Sequence, residues 1–176
     1  YAMHTNFDGA PGCMADLAAG LLGIAQGEPL EILGETEGRP FGIGKCGSLK
    51  EPASLMELAA RVKEKFGLPY VLIYGEDQPE IKLSRAAVCP GSGGSEIEAA
   101  LVAEGIRWGA EVFITGDISH HQGIDAAARG MAVIDGGHYG LEHIFIDFME
   151  DWLKKRLGDQ IQVVKAPVCW PVKALV

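Results

Sequence analysis

Ala132-Val133-Ile134-Asp135-Gly136-Gly137-His138-Tyr139-Gly140-Leu141-Glu142 reads as a short apolar strand, a loop opened by two glycines and the start of a helix. If the chain is helical from Tyr139 onward, His138 and Glu142 stand four residues apart and project to the same side over that loop. The continuation carries Ile144, Phe145, Phe148, Trp152 and Leu153 at spacings of three and four, the period of an amphipathic helix.

The same order of strand, small-residue loop and helix occurs twice more upstream. Ala86-Ala87-Val88-Cys89 leads into Pro90-Gly91-Ser92-Gly93-Gly94-Ser95 and a predicted helix from about Glu96 to Glu104. Glu111-Val112-Phe113-Ile114-Thr115-Gly116-Asp117 leads into a helix near Gln122 to Ala128. Strands alternating with helices predict an α/β fold, a mixed or parallel sheet with flanking helices. The first half is less regular: a strand from Tyr1 to Thr5, a helix from about Met14 to Leu22, a strand near Phe41 to Leu49, a helix from about Ser54 to Phe66 and a strand from Tyr70 to Tyr74. Pro52 ahead of the second of these helices and Gly67 just past it suit its two ends. Glu35 to Pro40 and Gly75 to Pro79 read as polar turns, too short for interdomain linkers. The expected division is residues 1–80, the remainder of an N-terminal lobe, and residues 81–176, a C-terminal α/β lobe.

With 176 residues, 48% of them hydrophobic, the chain can bury one good core or two small ones. No apolar run approaches the roughly 18 residues of a membrane span, and the N-terminus lacks a secretory pattern, so cytoplasm is the expected compartment. Cys13, Cys46, Cys89 and Cys169 form no Cys-x-x-Cys pair and are expected to be plain buried thiols. A net charge of −9 opposes attraction to phosphate backbones, which makes nucleic acid an unfavoured partner.

Ligands in open α/β sheets gather beyond the carboxyl ends of strands, and the suspicious polar residues fall at such places. An imidazole and a carboxylate at helical spacing suit zinc, manganese or ferrous iron, so His138 and Glu142 read as a ligand pair. The alternative makes His138 a helix cap and Glu142 a first-turn carboxylate favoured by the helix dipole. Along an extended segment His4, Asn6 and Asp8 would share one side, and Asp8 could complete the coordination begun by His138 and Glu142; on spacing alone a turn residue before Gly9 is the favoured reading. The loop 90–95 reads as a phosphate or carboxylate cradle or as a tight turn. His121 reads as a proton carrier or a partner of a ligand, with a surface role as the alternative, and His120 is a weaker candidate.

These residues fall into four ordered motifs. His4-Thr5-Asn6-Phe7-Asp8-Gly9-Ala10-Pro11-Gly12 is similar to H-T-N-L-D-x-A-x-G-G, and Ala87-Val88-Cys89-Pro90-Gly91-Ser92-Gly93-Gly94-Ser95 is similar to A-V-C-x-G-S-G-S/G-S. Thr115-Gly116-Asp117 with His121 resembles T-G-D-x-x-x-H, and Asp135-Gly136-Gly137-His138-Tyr139-Gly140-Leu141-Glu142 resembles D-x-G-H-Y-x-x-E. Together they resemble the Nif-three-like dinuclear-metal proteins, often labelled GTP cyclohydrolase I type 2 homologues. The resemblance implies a two-lobed α/β architecture and one or two divalent metal ions (zinc, iron or manganese). It implies Asp8, His138 and Glu142 as metal ligands, the glutamate bridging, with His4 and His121 near the same cavity as candidate catalytic groups. It further implies ring-shaped homo-oligomers, commonly hexamers, and a nucleotide as substrate of a metal-dependent hydrolase. A noncatalytic metal-containing ring that acts as a protein-binding scaffold is the alternative. The family's upstream His-His-Pro motif has no counterpart in these residues, and Cys13 stands where the family usually has Gly. The expectation is therefore the C-terminal two-thirds of such a protein, holding at most one ion firmly.

Overall fold

The computed structural model describes residues 3–91 and 102–173. Its main element is a six-stranded mixed sheet, ordered β1 (Ile24–Glu28), β4 (Lys45–Ala53), β6 (Leu83–Cys89), β7 (Val112–Thr115), β8 (Ala132–Asp135) and β5 (Leu72–Tyr74). β6, β7 and β8 run parallel, with Ala86 opposite Val112 and Val112 opposite Ala132; β1, β4 and β5 join antiparallel at the two sides. β2 (Glu31–Thr36) and β3 (Arg39–Ile43) form a separate hairpin.

Strand alternation builds two cores, one on each face. Ala86, Val88, Val112, Ile114 and Ile134 point to a layer with Leu58, Val62 and Phe66 of α3 (Leu55–Lys65) and its flank and Ala18, Ala19 and Leu22 of α2 (Met14–Leu22). Their neighbours Ala87, Cys89, Phe113 and Val133 face the other way, toward Val102, Ala126 and Met131. A central strand covered on both faces has to be apolar throughout, which is why Val112–Thr115 is buried at every position. The helix α3 starts where Ser54 and Glu57 exchange side-chain-to-backbone hydrogen bonds, and α5 (His120–Ala128) starts in the same way at Ser119 and Gln122.

The three strand-loop-helix units take the expected order. The helix predicted from Glu96 lies mainly outside the described residues, although 102–107 are helical (α4). The helix after β8 is two helices, α6 (His138–Glu142) and α7 (Phe145–Leu157), separated at His143 and Ile144. The single strand expected near Phe41 to Leu49 is two, because the chain turns at Gly44 with φ 63° before pairing with β6.

The expected strand from Tyr1 to Thr5 is not formed by its described residues. His4 instead precedes a short helix, α1 (Thr5–Gly9), because its carbonyl accepts the amides of Phe7 at 2.8 Å and Asp8 at 3.1 Å. The Asn6 carboxamide oxygen in turn accepts the His4 amide at 2.9 Å. The boundary expected at residue 80 falls between strands of the main sheet: β1, β4 and β5 precede it and β6 to β8 follow. Among the described residues no helix is long and apolar enough to cross a membrane.

Candidate functional site

The site lies beyond the carboxyl ends of β6, β7 and β8, where three loops are tied together by their own backbone. Gly91, after β6, has a carbonyl that accepts the Gly116 amide at 3.2 Å and the Thr115 hydroxyl at 3.1 Å. The Thr115 carbonyl accepts the Gly136 amide at 2.9 Å. Gly116 must be glycine because a Cβ there would stand 2.6 Å from the His138 nitrogen and from the Gly137 carbonyl carbon.

Asp135, the last residue of β8, is 6% exposed and fastens the β7 and β8 loops to each other. One carboxylate oxygen accepts the amides of Gly137 at 2.7 Å and Asp117 at 3.1 Å, and the other accepts Ile118 at 3.2 Å. Burial raises its pKa, more than the three amides lower it, and the charge of Asp117 adds to the rise.

His138 opens α6 in the middle of this arrangement. Its Nε2 lies 3.2 Å from the Glu142 carboxylate, one helical turn on, and its Nδ1 lies 3.4 Å from the Asp117 carboxylate. The expected pair therefore does share a face. Two atoms bound at about 2.1 Å to one tetrahedral ion are about 3.4 Å apart, so the 3.2 Å separation suits joint ligation. Gly91 faces the Glu142 carboxylate so closely that a Cβ there would collide with it, and the φ of 77° at Gly91 excludes most other residues as well.

Asp8 and His4 enter from α1. The helical turn, rather than strand alternation, sets them four apart on one side. Asp8 is raised in pKa by burial, with His4 and His138 lowering it. Glu142 is raised by burial too; His138 and His4 lower it, and the carboxylates of Asp8 and Asp117 raise it. Four of the five residues expected at the site, Asp8, His138, Glu142 and His4, thus act on one another. The side chains that act on Glu142 are thus imidazoles and carboxylates.

Other expectations fare differently. His121 is exposed on the first turn of α5, edge-on to His120 at 5.5 Å between ring centroids, outside the pairings around His138. Of the loop 90–95, Ser92 to Ser95 lie outside the described residues. Among the described residues no three His, Cys, Asp or Glu side chains close around a single point at metal-ligand distance. Cys46 and Cys89 are the buried thiols expected, whereas Cys13 is half-buried and Cys169 exposed. Asp117 and Asp135 were legible as acidic residues at or just past the carboxyl ends of parallel strands, but not as the supports of His138.

A cavity of about 200 Å³ opens beside His138 and Asp117, walled by Tyr70, Tyr139, Trp170 and Pro171. The Tyr139 hydroxyl accepts the Cys169 amide at 3.2 Å and its ring meets Trp170 edge-on, which draws the C-terminal segment over α6.

Fold and site together define a mixed-sheet α/β protein with a carboxylate-imidazole cluster at the ends of its parallel strands. The model of the family described as Duf34/NIF3 (NGG1p interacting factor 3) matches residues 1–168, and the chain belongs to that family. It is 37% identical over 155 residues to a GTP cyclohydrolase 1 type 2 homolog of Lactococcus lactis, covering 88% of this chain and 55% of that protein. It is 32% identical over 154 residues to the Protein NIF3 homolog of Schizosaccharomyces pombe, covering 83% of this chain and 51% of that one. The chain thus spans about half the length of these relatives. A Bacillus cereus protein related to NIF3 shares the fold at TM-score 0.86 and 18% identity, with 100% of this chain and 73% of that chain covered. The ybgI protein, described as of unknown function, superposes at TM-score 0.72 and 26% identity over 89% of this chain and 57% of its own.

Proposed function

We propose that His138, Glu142 and Asp8 bind a divalent cation, one or two ions of zinc, iron or manganese, and that this chain forms the metal-binding part of a hydrolase. The observation that carries the reading is the charge imbalance. The carboxylates of Asp8 and Asp117 both act on that of Glu142 beside the imidazoles of His4 and His138, and burial opposes the ionisation of Asp8 and Glu142. A divalent cation relieves both penalties at once. The donor set of one imidazole nitrogen and two carboxylates fits such an ion, and the His138 to Glu142 spacing is that of two ligands on one centre.

Such an ion, held by His138, Glu142 and Asp8, would lower the pKa of a bound water to near neutrality and polarise an electrophile. The chain's own residues do the rest. His138 and Glu142 fix the reacting centre on a short rigid turn, and Asp8 closes it from α1. His4, whose ring acts on both Asp8 and Glu142, is the first candidate to accept and return a proton. His121 is the second candidate for proton transfer and needs to reach the centre from α5. The name of the Lactococcus lactis relative directs the substrate search to purine nucleoside triphosphates.

The test is metal titration followed by turnover. The protein loaded in turn with zinc, manganese and ferrous iron is incubated with GTP and a nucleotide panel, and products are followed by chromatography. The reading expects turnover that is lost in His138→Ala and Glu142→Ala. Failure to bind any of the three ions refutes it. Firm binding with no turnover of any nucleotide transfers the support to the noncatalytic scaffold. Mass measurement of the native assembly checks the expected homo-oligomeric ring.

A further inference from the structure

We infer that Asp117 is a positioning residue: its carboxylate clamps the backbone and ring of His138 and so fixes the imidazole tautomer whose Nε2 is free for the cation. The inference rests on the proposed role of His138 as a metal ligand.

Among the described residues Asp117 is one of three non-glycine residues with positive φ, at 60°, a conformation in which a Cβ is unfavourable. Glycine occupies that region freely, so an aspartate there has to be retained for its side chain or tolerated in spite of it. The backbone conformation has a visible cause, because the Asp135 carboxylate takes the successive amides of Asp117 and Ile118. What the backbone does not require is the carboxylate of Asp117 itself, whose side chain is 60% exposed. It reaches across to the neighbouring loop and meets a single residue twice: one oxygen accepts the His138 amide at 3.4 Å, and the other faces His138 Nδ1 at 3.4 Å.

The consequence is chemical. A neutral imidazole carries one proton, and a carboxylate beside Nδ1 holds it there as a donor. Nε2 is then an unprotonated lone pair, and it is the nitrogen that faces Glu142 at 3.2 Å. The opposite tautomer would point an N–H at the Glu142 carboxylate, satisfying that pair internally and leaving no nitrogen lone pair for a cation on that side. Asp117 selects between a closed ion-pair-like contact and an open ligand pair. A carboxylate behind a ligating histidine also raises the basicity of the ring.

Three variants separate this role from a merely structural one. Asp117→Gly removes the carboxylate while relieving the backbone, Asp117→Asn keeps an acceptor in a residue that tolerates the same φ, and Asp117→Ala removes the carboxylate without relief. The first readout is the His138 tautomer in metal-free protein at mildly alkaline pH, from nitrogen-15 chemical shifts. The second is zinc affinity by calorimetry, and the third is thermal stability of the metal-free protein. In Asp117→Gly we expect the Nδ1–H tautomer to give way to Nε2–H. Zinc affinity falls about tenfold, the lower end for such partners given the exposure of this carboxylate. The melting temperature stays level or rises. Asp117→Asn recovers most of the affinity. An unchanged tautomer in Asp117→Gly overturns the inference whether or not zinc binds, and so does an affinity loss that tracks a loss of stability in all three variants. If the wild-type protein binds no zinc yet its tautomer depends on Asp117, the metal reading fails and the positioning role stands.

Discussion

Replacing Asp135 tests how the site is held together without any reference to a ligand. Its two oxygens accept three amides from two loops, and the whole side chain is 6% exposed. A hydrogen bond to a charged group contributes about 1.5–3 kcal/mol. The amides of Asp117 and Gly137 are only partly buried, so in Asp135→Ala water recovers much of their loss, while the Ile118 amide is left dry. The net cost at neutral pH is therefore about 3 kcal/mol, nearer one full bond than three. For a chain of this size that lowers the melting temperature by roughly 6–12 °C. Asp135→Asn keeps the oxygen that serves Asp117 and Gly137 but turns an N–H toward the Ile118 amide, and about 1–3 kcal/mol is expected. The pH dependence has a definite sign. The folded pKa lies above the ordinary 3.8, so the carboxyl's contribution is complete below that value and declines as pH rises through the raised one. Asn does not titrate, so the stability gap between wild type and Asp135→Asn narrows as the pH climbs above 3.8. Thermal melts and urea titrations across that range measure both quantities. An Asp135→Ala melting temperature within about 2 °C of wild type would refute the account of this carboxylate as the fastener between the loops, and a gap that widens with pH would refute the dominance of burial over the amide bonds in setting its pKa.

Two further outcomes follow from the same geometry. Gly91→Ala places a Cβ against the Glu142 carboxylate at a φ of 77°, so it should cost about 1–2 kcal/mol of stability and also weaken zinc binding; calorimetry on the folded variant separates the two. Thiol labelling at neutral pH should proceed fastest at exposed Cys169. It should be slower at Cys13, where burial and the Asp16 charge push the thiol pKa up, and slowest at buried Cys46 and Cys89; peptide mass mapping gives the order, and early labelling of Cys46 would contradict the packing.

The parallel half of the sheet was legible because its strands are short, apolar on both faces and followed by small-residue loops, a pattern with few alternative readings. The antiparallel half was legible in part: β5 and the start of β4 were expected, whereas β1 and the β2 strand of the separate hairpin were not. β1 and β2, which hold Gly27 and Gly34, alternate weakly between buried and exposed positions, and much of β2 belongs to an exposed hairpin rather than to a core. The segment 3–9 was misread for a different reason: Asn6 bonds back to the His4 amide and locks a helical turn, a local choice that hydrophobic pattern does not report. The site survived that error because a spacing of four brings His4 and Asp8 to one side of a helix just as alternation does on a strand. His138 and Glu142 were readable from spacing alone. The support beneath them was not, since Asp135 acts through the amides of Asp117 and Ile118, 18 and 17 residues away along the chain, and Asp117 reaches His138 from 21 residues away.

The cluster also predicts what a metal must do to the fold. The carboxylates of Asp8 and Asp117 both oppose that of Glu142, and of these three the two raised by burial, Asp8 and Glu142, are the ones proposed as ligands. They come from α1 and α6, elements far apart in sequence, so a cation that draws Asp8 toward His138 and Glu142 also ties α1 to the carboxyl ends of the parallel strands. Because the unfolded chain offers no such convergence, binding must stabilise the native state, by about 2.7 kcal/mol when the free ion stands at a hundred times its dissociation constant. That corresponds to a rise of roughly 5–11 °C in melting temperature, reversed by chelator. Asp8→Asn should retain weak binding through His138 and Glu142 but lose most of the rise, because the tie to α1 is gone. If zinc protects Asp8→Asn as fully as wild type, the ion sits on α6 alone and Asp8 is not its ligand.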